Sequence, residues 1–118
     1  MVTLPGGGFV AVRSADNPDS LRGEGLDFVV MDECAFMQRE AWTEAIRPAL
    51  SDRQGKALFI STPKGRNWFW EIYQRGLQGD EGWQSWQFPT AANPFIQPTE
   101  IEAARRDLPE IIFRQEYL

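Results

Sequence analysis

An α/β layered fold, with a mostly parallel sheet flanked by helices, is predicted by three observations. Residues 26–31 and 57–60 are short, nearly unbroken apolar runs, interrupted only by Asp27. Runs of that kind suit strands covered on both faces, as in a parallel sheet. Between and after them, apolar residues recur at helical spacing, and strands alternating with helices imply a layered α/β arrangement.

Taken in order, residues 2–4 and 9–13 are β-prone and separated by Pro5-Gly6-Gly7-Gly8, which predicts a hairpin. Residues 14–25 are polar and read as a loop carrying Arg22. Residues 39–50 predict a helix with Trp42, Ile46, Ala49 and Leu50 on one side, its last turn distorted by Pro48. The strand at 57–60 ends in Ser61-Thr62-Pro63. A second amphipathic helix is predicted over 65–77, placing Trp68, Phe69, Ile72, Tyr73 and Leu77 on one face. Residues 83–88 alternate and predict a third strand, nearer an edge. Thr99 with Glu102 fits a capping box opening a helix with Ile101, Ala104 and Leu108 on one side. Pro109 fits the first turn of a further helix carrying Ile112, Phe113 and Tyr117. That last pattern is still running at Leu118, so a piece of a longer protein is expected.

Composition narrows the chemistry. With 118 residues, 42% hydrophobic and 13% aromatic, the chain is expected to form one globular domain. It has no apolar run near the ~20 residues of a membrane span, and no secretory signal pattern. Cys34 is the one cysteine, which fits a reducing cytoplasm. The absence of histidine excludes a histidine base, a serine–histidine triad and histidine-bound zinc. A net charge of −5 argues against autonomous DNA binding, so any contact with DNA is expected within a larger assembly.

Asp32 and Glu33 directly follow Phe28-Val29-Val30-Met31. The carboxyl end of a buried parallel strand is where open α/β sheets bind ligands. There one carboxylate can hold Mg²⁺ through its waters, and its neighbour can orient and deprotonate an attacking water. This is the Walker B pattern with a catalytic glutamate, although four hydrophobes before Asp-Glu also describe a strand ending in a solvated acidic turn. Ser61 and Thr62 close the next predicted strand, so their hydroxyls are expected at the same sheet end, within reach of a γ-phosphate. Ser-Thr-Pro is alternatively a plain strand terminator. Arg22, in a polar loop and followed by Gly23, can extend a guanidinium to a phosphate on a neighbouring subunit. A phosphate-gripping G-x-x-x-x-G-K-[ST] loop is missing. Gly55-Lys56 is followed by Ala57, and Leu50 stands where the first glycine belongs.

The order Ser20-Leu21-Arg22-Gly23, Val29-Val30-Met31-Asp32-Glu33, then Ser61-Thr62-Pro63-Lys64-Gly65 resembles the large terminase subunit of tailed bacteriophages. The ending Phe113-Arg114-Gln115-Glu116-Tyr117-Leu118 looks like the close of that family's ATPase domain. The resemblance implies a partial P-loop NTPase-like fold. Residues 1–118 would be the C-terminal part of the ATPase domain, with the Walker A half preceding Met1 and a nuclease domain following Leu118. It further implies ATP and Mg²⁺ as cofactors and Asp32 as the metal-holding Walker B aspartate. Glu33 would be the catalytic glutamate, Ser61 and Thr62 part of the nucleotide-coupling motif, and Arg22 an arginine acting on an adjacent subunit's ATP. Its implied partners are double-stranded DNA, the phage portal, the small terminase subunit and further copies in a ring, all in the host cytoplasm with no membrane. A non-catalytic protein docking on a phage motor or capsid component is the alternative. A metal-dependent nuclease using Asp32, Glu33 and Glu44 ranks last, since two-metal sites need several converging carboxylates.

Overall fold

A computed structural model describes all 118 residues. The chain divides into two compact units: residues 1–32 with 36–59, and residues 33–35 with 60–118.

In the first unit, β1 (Val2–Thr3) and β2 (Phe9–Val10) pair antiparallel, with Val2 opposite Val10 and Thr3 opposite Phe9. The hairpin is the expected one, with shorter strands. Its loop closes through the Gly7 N–H donating to the Leu4 carbonyl at 3.2 Å, with Gly6 and Gly7 both at positive φ where side chains are disfavoured. Within the predicted loop, Pro18–Leu21 forms a 3₁₀ turn in which the Asp19 N–H donates to Asn17 Oδ1.

The central layer is a small parallel sheet of β3 (Phe28–Asp32) and β4 (Lys56–Ile60). A π-helical segment, Ala41–Ile46, runs into α1 (Arg47–Ser51) and joins the two strands. Trp42 meets Phe59 edge-on at 4.7 Å between ring centroids, so the helix covers one sheet face. Met31, Trp42, Ile46 and Leu50 are buried there, each such burial contributing about 1.5–3 kcal/mol. The predicted distortion by Pro48 takes a definite form. Lacking an N–H, Pro48 leaves the Glu44 carbonyl without its helical partner, and its ring crowds that carbonyl. The preceding turn widens, so that the Arg47 N–H reaches back to the Trp42 carbonyl. At the helix end, the orphan carbonyls of Ala49 and Leu50 accept from the N–H groups of Leu26 (2.9 Å) and Gly55 (2.8 Å).

One expectation fails here. The two strands are not covered on both faces: burial alternates along each, and Phe28 (58%), Val30 and Leu58 are exposed. The helix layer covers one face and leaves Phe28, Val30 and Leu58 exposed on the other.

In the second unit, α2 (Trp68–Leu77), α3 (Pro98–Asp107) and α4 (Glu110–Tyr117) form the helical part. Trp68 is buried, while Leu77 lies past the covered stretch and is exposed. The predicted strand at 83–88 does not form. That segment runs extended along α2 instead, with Ser85 Oγ donating to the Tyr73 carbonyl at 2.9 Å and the Arg75 guanidinium stacked over Trp83. No strand edge in this unit offers a ladder, so the alternation reports packing on a helix. The capping box at Thr99 is also absent. Gln97 is the N-cap of α3 and Pro98 its first residue, which moves Thr99 inside the first turn. Phe113 is 1% exposed and stacks on Tyr117 with Arg105 over its ring, whereas Ile112 faces outward.

Two outcomes follow from this packing. A methyl group at Gly76 would collide with the Ser85 hydroxyl, so Gly76→Ala is expected to lower stability by about 1–3 kcal/mol in urea unfolding; an unchanged midpoint contradicts the packing. The uncovered sheet face should bind a hydrophobic dye such as ANS, and Phe28→Ser with Leu58→Ser should reduce that signal with secondary structure retained.

Candidate functional site

Asp32 ends β3 and is exposed. The next residue, Glu33, turns sharply, with φ at +55. A non-glycine residue in that left-handed region carries about 1–2 kcal/mol of unfavourable backbone energy. Two side-chain hydrogen bonds tie down the residues that follow it. The Ala35 N–H donates to Ser61 Oγ at 3.2 Å, and Ser61 Oγ donates to the Thr62 carbonyl at 2.9 Å. Asn67 Nδ2 donates to the Ala35 carbonyl at 2.9 Å. The same Asn67 side chain caps α2, its Oδ1 accepting from the Trp70 N–H at 3.3 Å. Cys34 and Ala35 are buried beneath the turn.

The end of β4 is therefore tied to the segment that follows Glu33. Ser61 reaches the turn two residues after Glu33, and Thr62, half-buried, is its neighbour. Ser61 is engaged with two backbone groups, which makes it a brace of the turn. Asn67 escaped the sequence reading. Its signal was available, since an asparagine directly before the apolar run Trp68-Phe69-Trp70 is a helix N-cap pattern, but its second bond to Ala35 links residues far apart in sequence.

Arg22 lies in the first unit, following the 3₁₀ turn. Its Nε meets Asp19 Oδ1 at 3.1 Å, and its Nη2 meets Glu44 Oε2 at 3.2 Å. Glu44 is thus a partner of Arg22, and no group of three or more His, Cys, Asp or Glu side chains converges as a metal cage. The donor set at Asp32 and Glu33 suits a hard cation held by one or two carboxylates together with water and phosphate oxygens, the manner in which Mg²⁺ is commonly bound.

A family described as the terminase large subunit, T4likevirus-type, N-terminal, matches residues 1–117. The chain belongs to the terminase large-subunit family. It is 40% identical to the terminase large subunit of Thermus virus P23-45 over 98% of this chain and 28% of that protein. It is 38% identical to the terminase large subunit of Escherichia phage T5, over 98% of this chain and 27% of that protein. Among solved structures, an arginine-to-alanine variant of the Thermus phage P74-26 large terminase ATPase domain superposes with a TM-score of 0.80 at 38% identity. That match covers 98% of this chain and 54% of the solved chain. The terminase segment thus spans about a quarter of its curated relatives' length and about half of a solved ATPase domain, and it has that domain's P-loop-type α/β fold.

Removing the Asn67 side chain should loosen both the turn and the helix start. Asn67→Ala is expected to cost about 1–3 kcal/mol and to speed hydrogen exchange at the Trp70 amide. Asn67→Asp keeps the cap but loses the donor to Ala35, so it should protect Trp70 while still lowering stability. Equal exchange at Trp70 in all three proteins would contradict the double role.

Proposed function

We propose that this terminase segment is the C-terminal part of an ATPase domain and supplies the water-handling side of ATP hydrolysis in a viral DNA-packaging motor. The observation that supports the reading is the Ser61–Ala35 hydrogen bond, which ties the segment following Glu33 to the residue after β4. Family membership and the superposition on a terminase ATPase domain support it.

In this reading Asp32 holds Mg²⁺, chiefly through its waters. The ion, when bound, neutralises charge on the β- and γ-phosphates. The Glu33 carboxylate orients a water and takes its proton as the water oxygen bonds to the γ-phosphorus. The bond from that phosphorus to the bridging oxygen breaks, and ADP carries the electron pair away. Thr62, with Ser61 bracing the turn, contacts the γ-phosphate region and senses its loss, coupling nucleotide state to movement. Arg22 serves the ATP of an adjacent copy, where a guanidinium can pair with phosphate oxygens through two N–H groups. The motor would be a homo-oligomeric ring working with the portal and the small terminase subunit on double-stranded DNA. Its setting would be the host cytoplasm; no helix of the chain is long and apolar enough to cross a membrane.

The test joins this segment to the remainder of a terminase ATPase domain and measures turnover. Glu33→Gln should lower kcat by about 10²–10⁴-fold and leave ATP affinity within a few-fold, because the amide keeps the shape and loses the base. Full turnover with Gln at this position would refute the assignment. Asp32→Asn should instead raise the Mg²⁺ concentration needed for half-maximal turnover.

A further inference from the structure

Two carboxylates meet the Arg22 guanidinium. Glu44 Oε2 accepts a hydrogen bond from Nη2 at 3.2 Å, and Asp19 Oδ1 lies 3.1 Å from Nε as an ion pair. Nη1 is the nitrogen that takes part in neither contact. Asp19 belongs to the 3₁₀ turn that immediately precedes Arg22, and its own backbone is tied down by Asn17 Oδ1 at 3.2 Å. Glu44 belongs to the π-helical segment that Pro48 imposes. The guanidinium borders an open cleft of about 330 Å³ lined by Arg22, Gly23, Glu44, Ala45, Pro48 and Asp52. It is 51% exposed, so it is reachable from outside the chain.

A long arginine on a loop loses considerable rotamer freedom when it grips a ligand, and fixing it beforehand reduces that loss. We infer that Glu44, with Asp19, is a positioning residue that holds Arg22 at Nη2 and Nε and thereby presents its Nη1 to a phosphate group supplied by a second copy of the protein. The inference rests on the assignment of Arg22 to an adjacent subunit's ATP and adds the residues that aim it. Glu44 touches no substrate and acts only through Arg22. The displaced turn at Glu44 gives the proline a role as well, since a regular helix there would carry the carboxylate on a different rotation.

Two readouts test it. On the 118-residue chain, ¹⁵N NMR of Arg22 should show slow rotation about the Nε–Cζ bond, accelerated several-fold by Glu44→Ala and less by Glu44→Gln, which keeps an oxygen acceptor. In the completed ATPase domain, Glu44→Ala should lower kcat about 3–10-fold with KM for ATP unchanged, Glu44→Gln should recover part of it, and neither should matter once Arg22→Ala is present. Unchanged rotation or unchanged kcat in Glu44→Ala overturns the proposal. So does a rise in kcat, which would make the carboxylates a restraint on Arg22. If Arg22→Ala alone leaves turnover intact, the assignment of Arg22 fails and the positioning role with it. A strong Arg22 dependence beside a silent Glu44→Ala overturns the positioning role alone.

Discussion

The hydrogen bond from the Ala35 N–H to the Ser61 hydroxyl is the contact on which the site depends. Glu33 sits in a backbone conformation that its side chain disfavours, so the turn needs outside support to persist. Ser61 supplies it from one side and Asn67 from the other, and Asn67 also begins α2. One serine and one asparagine thus tie the end of β4 and the start of α2 to the segment after Glu33. Neither side chain needs to touch a nucleotide for its loss to be felt by residues that would.

The α/β class was legible because parallel-sheet strands and amphipathic helices leave different periodicities, and both were present. So were β3, β4 and the helices near 41–51 and 68–77, each within a few residues. The segment at 83–88 was misread because alternation records which side chains are covered, and a chain lying along a helix alternates as well as a strand does. Thr99 fails as a cap for a comparable reason: Pro98, one position earlier, is pre-set for a first helical turn. The strand-end residues of the candidate site were visible as residue types following apolar runs. Asn67 and the Glu44–Arg22 pair were not, because both depend on contacts between distant positions that spacing does not encode.

The sheet itself shows where sequence and structure diverge for a physical reason. Phe28, Val30 and Leu58 have the composition of strands with two covered faces, yet only the face toward Trp42 and Ile46 is covered. The solved relatives' ATPase domains, of which the segment spans 54%, contain additional chain.

The left-handed backbone at Glu33 has a consequence for evolution of this segment. Glycine tolerates that geometry freely, so Glu33→Gly would relax the turn while deleting the carboxylate. A search for sturdier versions of the domain, by selection for solubility or heat resistance alone, is therefore drawn toward loss of the carboxylate at the head of the turn. Retaining an acid there requires a selective demand other than folding.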